Sequence, residues 1–306
     1  MTTSQTYSSA QGYLDDPRND QVLVYVDGQL VPRDQASVSV FDSGFVLGDG
    51  IWEGLRLIRG RLMALDAHMD RLFEGAGALA IDIGMTREQV VEAVMHTCAA
   101  NGIDDGGHIR LMITRGRKRT PNQDPRFLLG KATVVIIAER KAKSPAAKEK
   151  GLALFTSTYR CSGPDVFDLR LNSHSRLNLI QALIQAINAG ADEALMLDPQ
   201  GFVSSCNSTN FFIVRGNELW TSTGRFCFNG ITRGHVISLF GPAIGPVHQR
   251  DFTLAQTYAA NEAFVTGTLG GLTPVTRIDG RTIGDGRPGP LTRRISELYE
   301  EFILTA

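Results

Sequence analysis

"AGADEALMLDPQGFVSSCNSTNFFIV", residues 189–214, decides the fold. An apolar strand, "EALMLD", follows Gly190, "DPQG" turns the chain, and the hairpin "NFFIVRGNELWTS" (210–222) comes next. Upstream, "RLNLIQALIQAINAG" (176–190) has helical spacing and stops at Gly190. A helix followed by strands that return on short turns indicates hairpins more than strand-helix-strand crossovers. The expectation is an α+β chain in two lobes.

The N-terminal half repeats this economy. "VLVYVDGQLVPRDQASVSVFDSG" (22–44) alternates apolar and polar residues around Asp27-Gly28, and "GLRLIRGRLMAL" (54–65) does so around Arg59-Gly60. Leu72, Ala76 and Leu79 then mark one face of a helix, and "MTREQVVEAVMHTCAANG" (85–102) opens with Thr86 and Gln89 in capping-box spacing. "HIRLMITRG" and "ATVVIIAER" read as strands, "LALFTSTY" as another. Helices are expected after Gly230 and near Pro290, where Leu291, Ile295, Leu298 and Phe302 share a face. "KAKSPAAKEKG" (141–151) is charged and lacks large apolar residues, so residues 141–150 read as a linker. The expected parts are a tail over 1–20, a small domain over 21–140 and a large domain over 151–306.

Composition excludes several partners. Thirty-one basic against thirty-two acidic residues leave a net charge of −1 over 306 residues, no field for nucleic acid or an anionic membrane. The cysteines at 98, 161, 206 and 227 lack metal or disulfide-scaffold spacing, so no metal and a reducing cytoplasm are expected. No apolar run approaches the roughly 20 residues of a spanning helix, and the first twenty residues are too polar for a signal peptide.

Three features suit an anion. Arg71 reads either as a solvated arginine or as an anion contact. Gly230, Ile231 and Thr232 precede a helical segment, where Thr232 either caps the helix or joins an anion site. "FVTGTLGGLTPV" places Thr266, Gly267 and Thr268 at a glycine turn able to wrap a phosphate. In "TRGRKRTP" (114–121), Arg119 reads as a solvated loop residue or a carboxylate fork, while Arg110, between apolar strand neighbours, should point at a partner or a site. No GxSxG, HExxH or GxGxxG motif occurs in the required setting, and His174 is the one histidine at the start of the 176–190 helix.

These motifs together resemble the class IV aminotransferases, the family that holds branched-chain and D-amino-acid aminotransferases, R-selective amine transaminases and aminodeoxychorismate lyases. The resemblance runs through "FDSGFVLGDGIWEGLRL", "RLMALDAHMDRLFEGAGAL", "HIRLMITRG", the 189–214 stretch, "FNGITRGHV", "EAFVTGTLGGLTPV" and "IDGRTIGDGRPGP", about residues 22–303. It implies fold type IV, a homodimer, and pyridoxal phosphate (PLP) between two domains. Its phosphate cup would be Arg71, Ile231, Thr232, Gly267 and Thr268, with Trp52, Arg110 and Arg119 on the substrate side.

Two family groups are missing. The lysine that forms the imine with the cofactor and moves the proton would stand, by the family's spacing from Gly190, at Asn172 or Leu171 within "DLRLNSHSRLNLIQA" (168–182). All six lysines lie between 118 and 150, and only Lys118 is on a pocket loop. The glutamate that pairs with the pyridine nitrogen is replaced by Ser205, which cannot hold a pyridinium as a carboxylate does. The expectation is a small-molecule enzyme on a carboxylate or amine substrate, with PLP or pyridoxamine phosphate (PMP) held noncovalently or no cofactor. Asn172, His174, Arg176 and Ser205 are its candidate catalytic groups. An aminotransferase with noncovalent cofactor and a silent ligand-binding protein are the alternatives.

Overall fold

Asp27 and Gly28 adopt φ of 48° and 97°, and Arg59 and Gly60 of 49° and 77°, so both expected hairpins turn through paired left-handed residues. The first joins β1 (Leu23–Val26) to β2 (Gln29–Pro32), and the second joins β3 (Gly50–Ile58) to β4 (Arg61–Leu62). The structure is a computed structural model that describes residues 9–305. The expected tail lies outside the described residues as far as residue 8; farther on, Pro17–Gln21 form a 3-10 turn with Asp16 as N-cap.

The chain divides into two compact units. The first comprises Asp15–Ala142 and Leu171–Arg176. Its sheet runs in the order β2-β1-β6-β5-β3-β4, where β5 is Gly107–Thr114 and β6 is Thr133–Arg140. Helices α1 (Leu65–Ala78) and α2 (Arg87–Ala100) supply Met69, Leu72, Val90 and Val94 to a core with Ile51, Leu55, Ile109 and Leu111 of the sheet. Both halves of the Thr86–Gln89 capping box are formed.

The second unit comprises residues 9–14, Lys143–Arg170 and 177–305. Its strands are β7 (Leu152–Thr156), β8 (Glu193–Leu197), β9 (Val203–Cys206), β10 (Asn210–Arg215), β11 (Glu218–Thr221), β12 (Val247–Gln249), β13 (Glu262–Gly267), β14 (Gly271–Ile278) and β15 (Arg281–Thr282). They form a nine-stranded sheet in the order β9-β8-β7-β14-β13-β10-β11-β12, with β15 on β14. The helices used below are α3 (Leu177–Asn188), α4 (Ile231–His235) and α5 (Pro290–Thr305). A short helix, Pro145–Lys150, occupies much of the stretch read as a linker.

The face of α5 differs from expectation. Thr292, Ile295, Tyr299 and Ile303 are its buried residues, whereas Leu291, Leu298 and Phe302 flank them. Two polar side chains turn the helix: the Thr292 hydroxyl donates to buried Glu262 at 2.7 Å, and Tyr299 packs against Gly271.

Candidate functional site

Strand β3 sends Ile51, Leu55 and Leu57 into the core of the first unit, and Glu53 shares their side of the pleat with 0% exposure. An isolated carboxylate there would be costly, and α1 supplies its partners. Arg71 forks it through Nε at 2.8 Å and Nη2 at 2.6 Å, while His68 Nδ1 lies 2.7 Å away. Burial alone would raise the Glu53 carboxyl, yet the Arg71 and His68 hydrogen bonds hold it below its ordinary value. Arg71 is therefore no solvated arginine; its side chain is only 16% exposed.

The opposite face of the same sheet carries Trp52 and Arg110. Gly54 pairs with Arg110 and Trp52 with Met112, and the Arg110 guanidinium carbon lies 3.7 Å from the Trp52 ring centroid. A Cβ at Gly54 would already touch the indole at 3.5 Å, so the glycine leaves room on this face. Arg110 makes no ion pair among the described residues.

Residues 171–176 pair with the start of β3. Trp52 N–H donates to Asn172 O at 2.9 Å, His174 N–H to Gly50 O at 2.8 Å, and the indole N–H to Ser173 O at 3.1 Å. Both ends of the Asn172 amide are engaged: Nδ2 donates to Trp52 O, and Oδ1 accepts from Arg176. Arg176 in turn places its guanidinium carbon 5.3 Å from the Trp52 centroid. His174 Nε2 donates to Ile51 O at 3.0 Å, because a carbonyl only accepts, which leaves Nδ1 as the acceptor of the ring. Burial also lowers the His174 pKa and favours the neutral ring.

The structure thus gathers Trp52, Arg110, Asn172, His174 and Arg176. Arg119 is exposed, and among the described residues no hydrogen bond joins it to Trp52 or Arg110; its backbone N–H donates to Phe127 O. Lys118 is 1% exposed, with its ammonium donating to Asn122 O at 2.6 Å and lying 3.4 and 3.5 Å from the carbonyls of Gln123 and Asp124. Its loop already uses that cation.

In the second unit the turn from β9 to β10 fixes Ser205. Its hydroxyl donates to Thr209 O at 2.7 Å and accepts from Asn210 Nδ2 at 3.4 Å. Asn210 Oδ1 accepts the Gly230 N–H at 3.1 Å, and Gly230 is the N-cap of α4. Thr232 is therefore buried inside the first helical turn and does not cap it; Ile231 is the first helical residue. Across the sheet Asn210 faces Thr266, whose buried hydroxyl has no partner among the described residues. Gly267 ends β13 and Thr268 follows in the turn; a Cβ on Gly267 would come within 2.8 Å of Gln11 Nε2. Sequence reasoning missed Glu193, a fully buried carboxylate that accepts from Ala10 N–H at 3.2 Å and Thr209 Oγ1 at 2.8 Å. Burial pushes its pKa up to about 7.

A family model for amino-transferase class IV matches residues 50–278. The chain belongs to the class IV aminotransferases. The chain is 40% identical over 285 residues to branched-chain-amino-acid aminotransferase-like protein 2 of Arabidopsis thaliana, covering 93% of its own length and 51% of the relative's. It therefore spans about half the length of that relative. A branched-chain-amino-acid aminotransferase of Pseudomonas aeruginosa is 31% identical, with 92% of each chain covered. Among solved structures, the branched-chain aminotransferase of the archaeon Thermoproteus uzoniensis with norvaline aligns with a TM-score of 0.83 at 31% identity, over 93% of this chain and 95% of that one. The expected α+β class IV fold is thereby established.

The family's cofactor meets a divided set of residues. The orphaned Thr266 hydroxyl, the Thr232 hydroxyl and the Gly267–Thr268 turn suit the phosphate, and Arg71 belongs to the other unit. The rest of the set does not suit a lysine-linked ring. Asn172 cannot form an imine, and the single Ser205 proton is committed to Thr209 O, although its oxygen can still accept. Among the described residues no group of three or more His, Cys, Asp or Glu could hold a metal, and no helix is long and apolar enough to cross a membrane.

Proposed function

We propose that this chain is an enzyme for a small carboxylate or amino-acid-like substrate that works without a lysine-bound cofactor. One observation carries the reading: the amide of Asn172, where the family resemblance calls for the lysine, is engaged at both ends by Trp52 O and Arg176. Ser205 supports it, because its proton goes to Thr209 O and its neutral oxygen, though able to accept, cannot hold a pyridinium as a glutamate carboxylate would. Arg110 and Arg176 bind the carboxylate beside Trp52, and His174 accepts a proton at Nδ1. Arg119 remains a loop candidate for the same substrate. When bound, PLP or PMP would supply an electron sink; its phosphate would be held noncovalently through Ile231, Thr232, Gly267 and Thr268. The orphaned Thr266 hydroxyl favours this noncovalent binding over a site without cofactor.

The protein is further proposed to be a cytoplasmic homodimer. Four buried, unpaired cysteines fit a reducing compartment. Leu177, Ile180, Ile184 and Ile187 are each 50% exposed or more, at the 3-4-3 spacing of a helix-pairing seam, and α3 carries no charge to oppose a second copy.

Spectrophotometry of the purified chain, loaded with PLP and then dialysed, tests the function. The chromophore should leave on dialysis. An aldimine absorbance that survives dialysis, together with a pyridoxyl lysine trapped by borohydride, would contradict the lysine-free reading.

A further inference from the structure

A neutral amide at residue 172 changes what Arg176 can do. A lysine there would place a second full positive charge within hydrogen-bond distance of the Arg176 guanidinium, which already feels Arg110 and Arg71. The amide presents Oδ1 as an acceptor for that guanidinium, and its Nδ2 donates to the backbone of Trp52, so one side chain ties the arginine to the indole it overlies. Glu53 offsets only part of that charge, because Arg71 and His68 already bond its carboxylate. Trp52 is itself held by its backbone N–H, its carbonyl and its indole N–H, all to Asn172 or Ser173.

We infer that Asn172 is a positioning residue: it holds Arg176 over Trp52 so that Arg176 and Arg110 form a two-guanidinium clamp for the carboxylate of the substrate. The clamp lies wholly within the first unit, on Trp52 of β3, Arg110 of β5 and the 171–176 segment. Burial, then Arg110 and Arg71, push the Arg176 pKa down to about 10. Burial lowers that of Arg110 as well. An anion between the two relieves that repulsion, whereas a cationic or neutral ligand does not. Arginine suits the role because its planar fork can stack on the indole and still donate in-plane to a carboxylate. The carboxylate class rests on the function proposed above; the dependence of Arg176 on Asn172 does not.

Calorimetric titration of the full chain with 4-methylvalerate tests the clamp. Arg176→Gln should weaken binding about tenfold, the loss of one charge-assisted hydrogen bond. Asn172→Ala should weaken it by a smaller factor, and the double variant should bind no worse than Arg176→Gln alone, because Asn172 acts through Arg176. Asn172→Asp keeps the acceptor for Arg176 but gives up the donation to Trp52 O and neutralises the guanidinium, so it should bind the anion more weakly than wild type. Wild-type affinity in Arg176→Gln or Asn172→Asp, or additive losses in the double variant, would overturn the clamp and leave the carboxylate site standing. A wild-type chain that binds no carboxylate would overturn both.

Discussion

Glu53 and Glu193 are carboxylates on inward strand positions, and their partners separate their behaviour. Arg71 and His68 keep Glu53 ionised, whereas Glu193 has only the Ala10 N–H and the Thr209 hydroxyl, and its pKa rises from 4.5 to about 7. Between those values the unfolded chain has lost the proton that the folded chain keeps. The Glu193 contribution to stability is therefore full below the unfolded pKa, is lost as pH rises to about 7, and changes little above it. Denaturant unfolding of wild type and Glu193→Gln at pH 5 and pH 8 should show a difference that shifts by on the order of 3 kcal/mol in favour of the variant at pH 8. Equal shifts in both proteins would contradict this. Asn172 is legible in the sequence as a gap where the family resemblance requires a lysine. Glu53 was overlooked although its parity with Ile51 and Leu55 marks it as inward. Neither the commitment of the Ser205 proton to Thr209 O nor the Asn172–Arg176 bond could be read beforehand, because each depends on how a tight turn or an extended segment folds back.

Elements with local signals are the readily legible ones. Asp27-Gly28, Arg59-Gly60 and the Thr86–Gln89 box fix their turns and helix start through backbone chemistry within a few residues. The buried face of α5 is set instead by Glu262 and Gly271, distant in sequence, so apolar spacing alone points slightly off it. Helix α3 shows the converse: its periodicity is plain, but its apolar residues face both inward and outward, with Ala182 and Ala186 buried and the isoleucines exposed. Ile184→Glu should turn the proposed dimer into a monomer in light scattering without loss of helical signal. A dimer that persists would place the interface elsewhere.

At the scale of the whole molecule, the α+β class and the family follow from motifs spread over most of the chain, because each marks a strand, a turn or a helix start at a fixed separation. Chain order conceals one feature. Leu171–Arg176 belong with the first unit through backbone pairing to β3, so the clamp residues come from distant parts of the sequence and one compact body. The central claim is that this body has replaced the lysine-bound cofactor with a neutral amide and two arginines. Borohydride reduction of the PLP-loaded chain, followed by peptide mass spectrometry, tests it most directly, with Asn172→Lys as the comparison. The account predicts no pyridoxyl adduct on any of the six lysines of the wild-type chain and an adduct at residue 172 in the variant. A stoichiometric adduct on a wild-type lysine, Lys118 included, would contradict it.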